Sequence, residues 1–101
     1  MLNQIIVVGR LVRDPEIKEL NNNKKVATMT LAVPRSQKNL EGAYDTDFIP
    51  CVLWDGIATN TAEYCKKGDT VGVKGRMQKE NENDELRIIA EKVTFLSSSK
   101  K

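Results

Sequence analysis

The sequence predicts an all-β fold, a five-stranded Greek-key barrel with one helix between the third and fourth strands. Three observations lead there. Apolar and β-branched residues gather into five short runs separated by polar, glycine- or proline-marked stretches. A helical repeat appears in one segment, residues 55–69. Glycine or proline stands in or beside the first four runs, where a small barrel has to bend.

The first strand is QIIVVGRLVR, residues 4–13, with Gly9 as its bend and Asp14-Pro15 as its stop. ELNNNKK then reads as a polar turn. The second strand, residues 26–33, alternates. Val26, Thr28, Thr30 and Ala32 take one face, and Ala27, Met29, Leu31 and Val33 the other. Pro34 closes it, and residues 35–46 read as a polar loop of a length that usually carries function. DFIPCVLW, residues 47–54, is the third strand. Pro50 cannot donate to a ladder, which places it at an edge or bulge. In the helix, Ile57, Thr61, Ala62 and Cys65 share a face, Lys66 and Lys67 fall in the last turn, and Gly68 fits a left-handed cap. Residues 70–79 form the fourth strand, ENEND an acidic turn, and residues 85–96 the fifth. This order is that of the five-stranded OB barrel, preferred to a sandwich or an SH3-like barrel. Residues 1–96 form the single domain, and 97–101 read as a disordered, frayed tail.

The chain has 101 residues, enough for one modest core. Net charge is +2, and basic and acidic residues are evenly spread through both halves. Bulk charge therefore does not point to nucleic acid; any basic path has to come from local arrangement. No run is long enough to span a bilayer, and the N-terminal apolar stretch reads as a strand and not a signal peptide. Cys51 and Cys65 do not form a CxxC pair, and reduced thiols are expected. There is no histidine, which removes the commonest general base and metal ligand. P-loop and dinucleotide-binding glycine patterns are absent. Asp45 and Asp47 are close in sequence, but a solvated loop explains them better than a nuclease site. The chain is expected to be no enzyme and to need no cofactor or metal.

The candidate site lies on the third strand. Phe48 and Trp54 are six residues apart, so a strand puts both rings on one face. If Ile49, Cys51 and Leu53 fill the barrel, then Phe48, Val52 and Trp54 point outward. The second and third strands of an OB barrel are where its ligands lie. Exposed rings beside cations hold unpaired bases by stacking, each stack contributing about 1–3 kcal/mol with little regard to sequence. Both parities of this strand are apolar, so packing in the core is the competing reading. Arg10, Arg13, Arg35, Lys38, Lys66, Lys67, Lys74, Arg76, Lys79 and Arg87 surround the region. Each alone reads as a solvated charge; as a set they would line a groove for phosphates.

MLNQIIVVGRLVRDPEIKEL, VATMTLAVPR, DFIPCVLW, AEYCKKGDTVGVKGRMQ and EKVTFL together resemble bacterial single-stranded DNA-binding proteins, in register over nearly the whole chain. The resemblance implies an OB fold, a homotetramer that wraps single-stranded DNA, and no catalysis. It implies protection of DNA during replication, recombination and repair, in a bacterial cytoplasm and nucleoid, with chromosomal, phage and plasmid origins all open. It carries the stacking role to Phe48 and Trp54, and phosphate contact to Arg10, Arg35 and Arg76.

This sequence departs from the family's pattern in three places. Gln37 and Glu82 stand near positions where the family commonly has rings. Two lost stacks at about 1–3 kcal/mol each would weaken binding by one to four orders of magnitude. Tyr44 is a candidate replacement ring. The family usually continues into a flexible tail with an acidic tip that recruits replication and repair enzymes, whereas this sequence ends FLSSSKK, so such partners are not carried over. The alternative function is an OB-fold interaction or primosome-type subunit with weakened DNA binding, favoured by the missing rings. Subunit pairing through the first strand is expected, because IIVVG is apolar on both parities.

Overall fold

A computed structural model describes residues 1–79, 81 and 85–99. Along the chain it holds β1 (Ile5–Leu11), β2 (Glu16–Glu19), β3 (Lys25–Lys38), β4 (Tyr44–Trp54), α1 (Asp55–Tyr64), β5 (Thr70–Lys79) and β6 (Leu86–Ser97). Five strands close on themselves. β1 pairs β5, β5 pairs β6, β6 runs parallel to β4, β4 pairs β3, and β3 returns to β1 through Arg10↔Ala32 and Leu11↔Leu31. The expected barrel, with its helix between the third and fourth barrel strands, is the one observed.

Alternation fills the inside. Ala27, Met29 and Leu31 of β3 meet Cys51 and Leu53 of β4, Val71 and Val73 of β5, Ile88 of β6 and Leu11 of β1 in one core. Two glycines permit closure. A Cβ on Gly9 would stand about 3.0 Å from the Ala32 carbonyl oxygen, where β1 crosses onto β3. A Cβ on Gly75 would collide with the Ile89 carbonyl, at the register shift between β5 and β6.

Four local expectations are corrected. First, residues 35–46 are mostly not a loop. β3 continues to Lys38 and β4 begins at Tyr44, leaving a turn around Asn39. The Asn39 side-chain oxygen accepts from the Glu41 and Ala43 amides, and Gly42 supplies the positive φ of +83°. A side chain that satisfies turn amides lets polar residues hold a hairpin, which hydropathy does not reveal. Second, β2 is an extra strand. Asp14-Pro15 does stop β1, but the chain then re-enters alongside the first half of β3, which β1 leaves unpaired.

Third, the helix ends at Tyr64, and Cys65 is already extended. Gly68, at φ +90°, serves a turn in which the Asp69 amide donates to the Lys66 carbonyl. Its positive φ meets the need of a type II turn and not of a helix cap. Fourth, residues 97–99 are tied down. Ser97 ends β6, the Ser99 amide donates to the buried Asp69 carboxylate at 3.1 Å, and the Ser99 hydroxyl donates to the Lys67 carbonyl at 3.4 Å. The Lys66 amide donates to the other Asp69 oxygen at 2.9 Å, so one carboxylate organises both the turn and the end of β6. Lys100 and Lys101 lie outside the described residues.

Candidate nucleic-acid interface

β4 carries the rings. Ile49, Cys51 and Leu53 face the barrel, and the opposite parity brings out Phe48, 64% exposed, and Trp54, 38% exposed. Six residues at about 3.3 Å each separate them by about 20 Å along the strand. Val52, expected to point outward with them, is 3% exposed. It pairs in parallel with Ile89, also buried, so the middle of the outer face is a covered apolar strip with an open ring at each end.

Tyr44 has the same parity as Phe48, because the register shift near it consumes extra residues in β3 and not in β4. Its ring is exposed, and the Lys38 ammonium lies 5.8 Å from its centroid across the hairpin. Three rings thus stand along the outward side of one strand. The Gln37 position lies in the β3 bulge between Pro34 and Lys38. The Glu82 position lies outside the described residues.

The cations divide by place. On the β1 side, Arg10 pairs with Ala32, which pairs with Phe48, so Arg10 and Phe48 share a row across three strands. A shallow groove lined by Val8, Arg10, Ala32, Pro34, Thr46 and Thr70 runs beside that row. Arg13 lines a second, smaller notch with Thr28 and Thr30. On the β6 side, Arg76 pairs with Ile89, and Arg87 lies two residues before Ile89, the same side of β6 by alternation. Lys79 is at the end of β5. Lys74 pairs with Ile6 and Lys92, on the side of the barrel away from β3 and β4.

Arg35 and Arg76 are seated on carboxylates. The Arg35 guanidinium forks the Asp47 carboxylate, donating to its two oxygens at 3.1 and 3.0 Å. That bond raises Arg35 above its ordinary range and holds Asp47 below the usual carboxylate range. Arg76 donates to Glu91 at 3.3 Å. Both pairs are substantially exposed, so a phosphate can exchange for either carboxylate.

Lys18 was missed in the sequence. It pairs with Val26, which pairs with Trp54, and so puts an ammonium in the row of the second ring. Its signal was hidden because β2 itself was not foreseen. Chemistry is unsupported by the thiols: burial pushes Cys51 up to about 12, and burial together with nearby Asp69 pushes Cys65 up. Among the described residues no cluster of His, Cys, Asp and Glu could hold a metal, and no helix is long and apolar enough to cross a membrane.

Comparison with known proteins gives a consistent result. Residues 2–96 match the model of the single-strand binding protein family. The chain is 43% identical over 103 residues to single-stranded DNA-binding protein B of Bacillus subtilis, covering 95% of this chain and 91% of that protein. It is 46% identical over 105 residues to single-stranded DNA-binding protein 3 of Listeria innocua, covering 97% of this chain but 66% of that protein. Among solved structures, a deletion mutant of the single-stranded DNA binding protein from Thermus aquaticus superposes with a TM-score of 0.77 at 30% identity, over 96% of this chain and 42% of that one.

Proposed function

The chain belongs to the single-strand binding protein family, and from that premise we propose that it binds single-stranded DNA across the outer face of β3 and β4. Phe48 and Trp54 are the stacking platforms, with Tyr44 as a third. Arg10, Lys18, Arg76 and Arg87 flank them and take phosphates, with Arg13 meeting the strand beside them; Arg35 and Lys38 take phosphates from the hairpin, and Lys79 at the end of β5. Lys74, on the far side, serves a strand that wraps around the barrel. The observation that carries this reading is the exposure of two large rings on one side of a strand whose centre is otherwise buried. Stacking accepts every base because every base has a π-face, so binding is tolerant of sequence. The role is to hold and protect unpaired strands during replication, recombination and repair, in a bacterial cytoplasm, and it requires no catalysis. Residues 1–96 are the binding unit.

The assembly belongs to the same proposal. Residues Ile5–Gly9 pair with β5 on one side, and β3 reaches β1 only at Arg10 and Leu11. This leaves an open strand edge, and beside it Ile6 is 74% and Val8 51% exposed. An open edge with apolar side chains calls for a second strand. A homotetramer built through β1 supplies it and lets one DNA strand wrap several ring faces.

The test uses Trp54, the chain's one tryptophan. Titration with oligo-dT at two salt concentrations should quench its fluorescence, with affinity falling as salt rises because contacted phosphates release counterions. Unchanged fluorescence at low salt would defeat this reading. It would favour the alternative, an interaction subunit with weakened DNA binding, which the carboxylates already seated on Arg35 and Arg76 support.

A further inference from the structure

We infer that the notch formed by Arg13, Glu16, Thr28 and Thr30 is a base-edge reader that favours guanine, set into an otherwise sequence-tolerant face. The inference rests on the ring face being the path of the strand. The notch has a volume of about 190 Å³ and is floored by Met29. At roughly 30 Å³ per water in the liquid, that is room for a few waters or for the edge of one planar heterocycle.

Backbone pairing fixes the chain on both sides of the notch. The Val12 amide donates to the Thr30 carbonyl at 3.1 Å, fixing the chain next to Arg13. Glu16 is in the ladder opposite Thr28, which is itself opposite Val52 of the ring strand. Glu16 is therefore two strands from β4, on its ring-bearing side, and two residues from Lys18 in the row of Trp54.

The chemistry of the notch is unusual for this surface. Arg35 and Arg76 are each paired with a carboxylate. Arg13 and Glu16 border the same small space, yet among the described residues no hydrogen bond or ion pair is made by either side chain. An unneutralised carboxylate on the path of a polyanion lowers affinity unless a donor meets it. Phosphates offer no donor, whereas base edges do. Side by side, a carboxylate acceptor and a guanidinium donor complement guanine, whose N1–H and N2–H₂ both donate toward Glu16 while O6 and N7 accept from Arg13. Thymine has no amino group and cytosine has one. Unpaired bases expose these edges, and the threonine hydroxyls serve either partner.

The test compares strands with the same host sequence. Oligo-dT carrying isolated guanines is titrated against the full chain by Trp54 quenching, beside oligo-dT carrying hypoxanthine at the same places. Hypoxanthine keeps N1–H, O6 and N7 and lacks only the N2 amino group. The expected result is about ten- to a hundredfold tighter binding of the guanine strand, the range for one hydrogen bond to a charged group. Glu16→Ala should abolish the difference while tightening binding of plain oligo-dT, because repulsion is removed. Glu16→Gln should tighten oligo-dT equally and keep only part of the difference. Equal affinity of the two strands for the unaltered chain, or a difference that survives Glu16→Ala, would overturn the inference. If no strand quenches Trp54, the ring-face reading itself has failed, a result distinct from quenching without discrimination.

Discussion

Trp54 and Phe48 do different work from Cys51 and Leu53, although all four are apolar and neighbours on β4. The inward pair is fully buried, and Leu53→Ala should cost about 2–5 kcal/mol of stability by chemical denaturation, with a cavity left behind. Trp54→Ala and Phe48→Ala should leave the fold intact and each weaken oligo-dT binding by about 1–3 kcal/mol. For Phe48→Ala the loss is read by Trp54 quenching; for Trp54→Ala it is read by anisotropy of a labelled strand. Arg35 illustrates competition at the same scale. Its fork is filled by Asp47, so Arg35→Ala alone should change binding little. In an Asp47→Asn background the same change should matter more, and Asp47→Asn itself should steepen the log–log salt slope by about 0.7, the increment for one further phosphate on a single strand. An unchanged slope would show that Arg35 does not reach the DNA. The pH dependence of the pair follows from the direction of its shifts. Asp47 titrates lower when folded, so the pair favours the folded hairpin above the ordinary carboxylate range. That contribution is lost as pH falls through the folded value, and an NMR titration placing Asp47 at or above the ordinary range would contradict it.

Elements here are shaped by where the barrel must close. Gly75 is the clearest case, because any side chain there would meet the Ile89 carbonyl and neither strand can retreat without losing the β5–β6 ladder. Gly75→Ala should destabilise the chain by about 3 kcal/mol, measured by thermal or urea unfolding. The β3–β4 hairpin has the opposite character. Beyond Val33 and Asp47 it has left the barrel and is held by Asn39, the Arg35–Asp47 fork and the Lys38–Tyr44 contact. Few buried contacts secure it, so its amides should exchange with solvent well before those of β5 and should be protected when DNA binds.

At the scale of the whole molecule, the open edge of β1 meets the Phe48 end of the ring face, where Val8 shares a groove with Arg10, Ala32, Pro34 and Thr46. Self-association is therefore tested at Ile6, which lies outside that groove. Ile6→Lys should give monomers by light scattering, while a short oligo-dT still quenches Trp54. Retention of the oligomer would place the interface elsewhere. The two faces serve one purpose if one strand passes over several protomers, since each adds its own rings at little further entropic cost.

Composition and periodicity alone were enough for the order of the five barrel strands and the helix, though not for β2, and for the alternation of β3 and the pairing of Phe48 with Trp54 on one side of a strand. These depend on local pattern, which a linear chain displays. Residues that the sequence left as polar loop became the hairpin, because Asn39 satisfies turn amides that hydropathy does not register. Val52 was hidden beside Ile89, and Arg35 was closed onto Asp47, by partners distant in the chain. Which parity of β4 faces solvent was likewise open in the sequence, because both are apolar. Tertiary structure decided it: a closed barrel has one inside, and Cys51 and Leu53 occupy it.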